Sequence, residues 1–70
     1  MPVIEVSMLE GRTQEDLDRL AMALSEVVMR ELEVPAEAVR VLIRPIPAER
    51  WYVGGRSKAS GAGSPPPQSV

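Results

Sequence analysis

The sequence predicts an α/β fold: a single βαβ unit with parallel strands and a short C-terminal hairpin, completed by oligomerisation. Three features lead there. Apolar residues alternate along residues 3–9 and again along 39–44, the period of a strand. Between them, residues 14–32 repeat apolar side chains at helical spacing behind a capping signal. Nothing else in the 70 residues is large enough to cover the sheet face that one helix leaves open, and two strands alone are not stable in water.

In the first strand Ile4, Val6 and Met8 point one way, and Val3, Glu5 and Ser7 the other. Pro2 precedes it, at a position where a missing N–H costs the ladder little. Leu9-Glu10-Gly11-Arg12 breaks the alternation, with Gly11 available for a positive φ. Thr13 then caps a helix, Asp16 follows three residues on, and Glu15 and Asp16 face the positive end of the helix dipole. Leu17, Leu20, Ala21, Leu24, Val27, Val28 and Leu32 form one apolar stripe, with Met22 and Met29 as packing filler at its edges. Val34-Pro35 stops the helix, and residues 35–38 make a tight turn.

In the second strand Val39, Val41 and Ile43 share one face and Arg40, Leu42 and Arg44 the other, with Pro45 and Pro47 ending it. A strand, a helix and a strand on short connections make a parallel, right-handed crossover. Residues 48–56 hold Trp51, Tyr52 and the Gly54-Gly55 pair, and read as a short strand or hairpin arm. The Ser/Gly/Pro-rich stretch 57–70 has too little apolar surface to order itself, so the expected organisation is one domain, 1–56, and a flexible tail, 57–70.

Composition narrows the chemistry. There is no cysteine, which excludes disulfides, thiol nucleophiles and thiolate metal sites, and no histidine, the commonest general base and metal ligand. A domain this short buries only about 60% of its unfolded surface, and small chains without such staples usually gain stability by assembling. No apolar run reaches the roughly 20 residues of a membrane span, and no signal segment precedes the first strand, so a cytoplasmic protein without membrane contact is expected. Net charge is -2 but lopsided: nine acids up to Glu37 face Arg12, Arg19 and Arg30, whereas beyond it Glu49 stands alone among Arg40, Arg44, Arg50, Arg56 and Lys58. So few cations make nucleic acid a poor partner; a small carboxylate suits them better, because guanidinium grips it bidentately.

Among groups that exchange protons near neutral pH, carboxylates and a perturbed amine remain. If the initiator Met1 is clipped, as a small second residue permits, Pro2 presents a secondary amine in place of an amide. Apolar surroundings and nearby arginines favour its neutral form, which is a competent general base. Arg12 ends the same strand and Arg40 lies on the adjacent one; two arginines near one base suit a carboxylate substrate and a developing enolate. Read residue by residue, both are equally at home as solvated turn and strand positions, and Trp51 as a core or interface anchor.

The segments MPVIEVSMLEGRTQEDL, AVRVLI and PAERWYVGG, in this order and spacing, resemble the short-chain 4-oxalocrotonate tautomerase family from about Pro2 to Arg56. The resemblance implies a tautomerase-like β-α-β fold and a cofactor-independent isomerase, assembled as a homo-hexamer built from dimers. It also implies roles. Pro2 matches the general base that shuttles a proton from an enol or dienol oxygen to carbon. Arg12, in the LEGR turn, matches the residue that binds the distal carboxylate of a 2-hydroxymuconate-like substrate, and Leu9 of that turn falls among the substrate contacts. Arg40 matches the arginine contributed by another subunit to the reacting end, and Trp51 falls where the family has an apolar aromatic wall. The chain departs from the pattern in its larger Trp51, in extra positive charge from Arg44 and Arg50 beside the expected mouth, and in its proline-rich C-terminus. Two alternatives follow: a dehalogenase or hydratase of a small unsaturated halo acid, with Pro2 as acid and Glu10 or Glu49 activating water, and a non-catalytic subunit of a mixed oligomer.

Overall fold

A computed structural model describes residues 1–60 of the chain. Contacts group it into two compact units, Met1–Val6 with Arg12–Arg44, and Ser7–Gly11 with residues 45–60. The elements run β1 (Val3–Leu9), α1 (Gln14–Leu32), β2 (Arg40–Ile46), β3 (Tyr52–Val53) and β4 (Arg56–Ser57), with 3₁₀ turns at Ala36–Ala38, Ala48–Arg50 and Lys58–Ser60. β1 and β2 form a two-stranded sheet. At one end the Arg40 N–H donates to the Pro2 carbonyl at 3.0 Å, and at the other the Glu10 N–H donates to the Ile46 carbonyl at 3.0 Å. Both partners rise in number together, so the pair is parallel, the expected βαβ unit.

Burial follows the strand alternation. Ile4, Val6, Met8, Val41 and Ile43 are half-buried and Val39 buried, while Val3, Glu5, Ser7, Arg40, Leu42 and Arg44 are exposed. β2 nevertheless continues through Pro45 to Ile46 and does not stop before the proline. The two end bonds direct the polar backbone of even-numbered β2 residues toward β1, so Pro45 turns its nitrogen to the open edge, where no donor is needed.

α1 begins as the capping signal predicts. Thr13 is extended (φ -75°, ψ 161°) and its Oγ1 accepts from the Asp16 N–H at 3.1 Å. The helix ends at Glu33, which takes the left-handed conformation (φ 56°) ahead of Val34-Pro35. Leu17, Leu20, Ala21, Leu24 and Val28 are half-buried as expected, whereas Val27 and Leu32 are exposed. Val27 lies at one margin of the stripe and Leu32 in the last turn, where a single sheet face no longer reaches.

The Asp16 carboxyl group lies below its ordinary value of 3.8: partial burial pushes it up, but hydrogen bonds from Arg19 and Thr13 and the attraction of the Arg19 guanidinium outweigh that. A depressed folded-state value means that this stabilisation is present above the ordinary carboxylate range and is lost as pH falls through the folded value. Thr13→Ala should destabilise the chain by about 1 kcal/mol. Asp16→Asn should flatten the acid limb of a thermal-melting profile taken between about pH 5 and pH 2. An unchanged acid limb would deny Asp16 this role.

In the second unit β3 and β4 pair antiparallel, Tyr52 with Ser57 and Val53 with Arg56. The two residues between them, Gly54 and Gly55, have φ of 60° and 83°, the requirement of a two-residue hairpin turn matched to strand twist. The hairpin is tied back by Lys58 N–H donating to the Trp51 carbonyl at 2.8 Å and by Ser57 Oγ donating to the Ala48 carbonyl at 3.1 Å. Regular structure thus runs to Ser60, past the boundary expected at 56; the rest of the expected tail lies outside the described residues.

Little of this is closed. Leu9 and Val39 are the buried apolar side chains among the described residues, while Val3, Met22, Leu32, Leu42, Tyr52 and Val53 are each more than half exposed. Among the described residues no helix is long and apolar enough to cross a membrane.

Candidate active site

Pro2 is half-buried at the head of β1, behind a Met1 that is 84% exposed, so removal of Met1 would disturb little packing. The backbone bond from Arg40 to Pro2 sets the two residues side by side. Their side chains part company there. Pro2 shares the alternation of half-buried Ile4, Val6 and Met8, and Arg40 that of exposed Leu42 and Arg44, the opposite face of the sheet.

The Arg40 head is held from behind. Its Nη1 donates to the Glu37 carbonyl at 2.6 Å and to the Val39 carbonyl at 3.5 Å. Two of its five donors are thereby fixed by the 3₁₀ turn Ala36–Ala38 and by Val39, which closes that turn ahead of β2, and this limits how far the guanidinium can swing. Residue spacing gives no sign of this anchor, because a backbone carbonyl has no sequence signature.

Arg12 follows Gly11, whose φ of 127° turns the chain from β1 toward the helix cap. It is exposed and makes no ion pair or side-chain hydrogen bond among the described residues. The seven residues of β1 separate it from Pro2, a span of about 23 Å at the usual strand rise. A small dicarboxylate cannot bridge that distance within one chain.

Leu9 and Trp51 belong to the other unit. Leu9 closes β1 at 7% exposure. Trp51 is half-buried after the turn Ala48–Arg50, its N–H donating to the Ala48 carbonyl at 3.2 Å. Glu10 and Glu49, the acids a water-activating reaction would use, are both exposed. Arg44 brings its Nη2 within 3.9 Å of Glu5 Oε1 on the exposed sheet face. The sequence holds that pairing in its alternation, since both residues fall on the outer face of adjacent strands.

Comparison with known proteins agrees with this architecture. A family model described as "Tautomerase enzyme" matches residues 2–61, beginning at Pro2. A probable tautomerase from Ralstonia nicotianae is 42% identical across 99% of this chain and 97% of its own length. A 2-hydroxymuconate tautomerase from Stutzerimonas stutzeri is 39% identical across 81% of this chain and 90% of its own. Among solved structures, a 4-oxalocrotonate tautomerase homologue of the tomaymycin biosynthetic pathway superposes with a TM-score of 0.79 at 46% identity, covering 83% of this chain and 89% of that one. A heterohexamer 4-oxalocrotonate tautomerase from Chloroflexus aurantiacus superposes with a TM-score of 0.79 at 40% identity, covering 86% and 97%.

Proposed function

This chain belongs to the tautomerase family, and from that premise we propose that it is a cofactor-independent isomerase of small anionic enol or dienol 2-oxo acids, with a free Pro2 amine as its base. Neutral Pro2 takes the proton from the enol oxygen as the C=O bond forms, and returns it to carbon at the far end of the conjugated system. Arg40 faces the oxygen and carboxylate at the reacting end and stabilises the charge that develops there. Arg12 grips the distal carboxylate and sets the substrate's register. Leu9 and Trp51 form an apolar wall, which keeps the local dielectric low and the amine neutral. The 2-hydroxymuconate tautomerase among the relatives supports a substrate of that kind.

The observation that carries this reading is the geometry of one chain: Arg12 lies a strand's length from Pro2, and Arg40 emerges on the opposite face. On this reading Pro2, Arg12 and Arg40 surround one small molecule by coming from different copies. The reading is accordingly of a cytoplasmic homo-hexamer, a trimer of dimers, in which the outer face of the β1–β2 sheet is covered by other copies. The many half-exposed apolar side chains support assembly, and the Chloroflexus relative, a heterohexamer, supports a count of six.

An ultraviolet assay of purified, Met1-processed protein against 2-hydroxymuconate, phenylenolpyruvate and the 3-chloroacrylates tests the proposal. Ketonisation of 2-hydroxymuconate is the expected result. Turnover of the chloroacrylates alone would point to hydratase chemistry, and silence on all three from an assembled protein would overturn the enzymatic reading.

A further inference from the structure

On the face of the β1–β2 sheet away from α1, Val3 and Leu42 are 53% and 52% exposed. Beside them Arg44 Nη2 and Glu5 Oε1 lie 3.9 Å apart. Neither charge has a part in the proposed proton transfer. In an isolated chain so exposed a pair contributes little, because water screens it. Covering the face changes that. The hexamer reading, on which this inference rests, takes the face out of water, and a charge buried at an interface is tolerated only when it is paired. Arg40, the other cation of this face, has its Nη1 anchored on the Glu37 and Val39 carbonyls, and it is Arg44 that lies within ion-pair distance of Glu5. Arg44 is thus the cation matched to Glu5.

One chain therefore carries both signs on one surface. Each copy offers a donor and an acceptor, so in a two-fold contact Arg44 of one copy can meet Glu5 of the other and the pair is made twice. A related chain lacking one of the two charges would strand the other in an apolar contact. We propose that Glu5 and Arg44 form a self-recognition element on the outer sheet face, making it complementary to a second copy of this chain and unfavourable to a related chain of different charge at these positions.

Native mass spectrometry and sedimentation of Glu5→Arg, Arg44→Glu and the swapped double variant test this. Each single variant should dissociate at concentrations at least about 100-fold above the wild type, as expected for an unpaired interfacial charge. Mixing the two should restore particles containing both chains, and the double variant should assemble alone. The double variant guards against a mere folding defect, because it carries both substitutions. Single variants that assemble as tightly as an assembled wild type, single variants that stay apart when mixed, or a double variant that does not assemble would each overturn the inference. A monomeric wild type would instead overturn the assembly reading, and this inference with it.

Discussion

A chain extended ahead of Pro2, by retained Met1 or by a fused tag, should lose turnover by about 10²- to 10⁴-fold, the usual contribution of a general base. In the extended chain the proline nitrogen is an amide and has no basic lone pair. The fold should not notice: Met1 is 84% exposed, and the Pro2 group that holds the sheet is its carbonyl, which accepts from Arg40 whatever stands ahead of the nitrogen. Intact mass confirms which form is present, and equal particle size confirms assembly. Pro2→Ala should act more mildly, because it leaves a primary amine in about the same place. In the processed wild type, kcat/KM should fall at low pH as the amine takes up a proton and ceases to be a base. Equal rates from extended and processed protein would exclude Pro2 as the base.

The two arginines should fail in different ways. Arg40→Ala should lower kcat by about 10²-fold, the loss expected when a donor to developing negative charge is removed. Arg12→Ala should act mainly on KM, because a distal carboxylate is held equally in ground and transition states. The shared site gives a sharper measurement. A chain blocked at Pro2 keeps its Arg12, and an Arg12→Ala chain keeps its Pro2. Co-assembled, the two poor enzymes should recover activity if, as proposed, each site takes these groups from different copies. Mixed particles no more active than their components would mean that no site takes its Pro2 from one copy and its Arg12 from another.

Much of the fold is legible in the residues. The alternation of Ile4, Val6 and Met8 against Val3, Glu5 and Ser7 fixes both faces of β1, and Thr13 with Asp16 marks the start of α1. Gly54-Gly55 marks the hairpin because few other residues accept positive φ twice in succession. Other features depend on context that no local pattern holds. Whether Pro45 ends β2 depends on which edge its nitrogen meets, and that depends on the register with β1. Val27 and Leu32 have the spacing of core residues, yet one sheet face is too narrow to cover them. The candidate site divides the same way. Residue types and motif spacing single out Pro2, Arg12 and Arg40, while the carbonyl anchor of Arg40 and the pairing of Arg44 with Glu5 arise from the folded backbone.

Pro45 carries a further consequence, for solubility. A two-stranded sheet exposes two strand edges, and an edge with all its amides free is a template on which further chains can stack into fibres. On the outer edge of β2 the register leaves residues 41, 43 and 45 to offer donors, and Pro45 has none. A strand arriving there would leave its own carbonyl unanswered at that rung, which makes this edge a poorer template. The proline that does not interrupt the native ladder thus disfavours an unwanted one on the opposite edge.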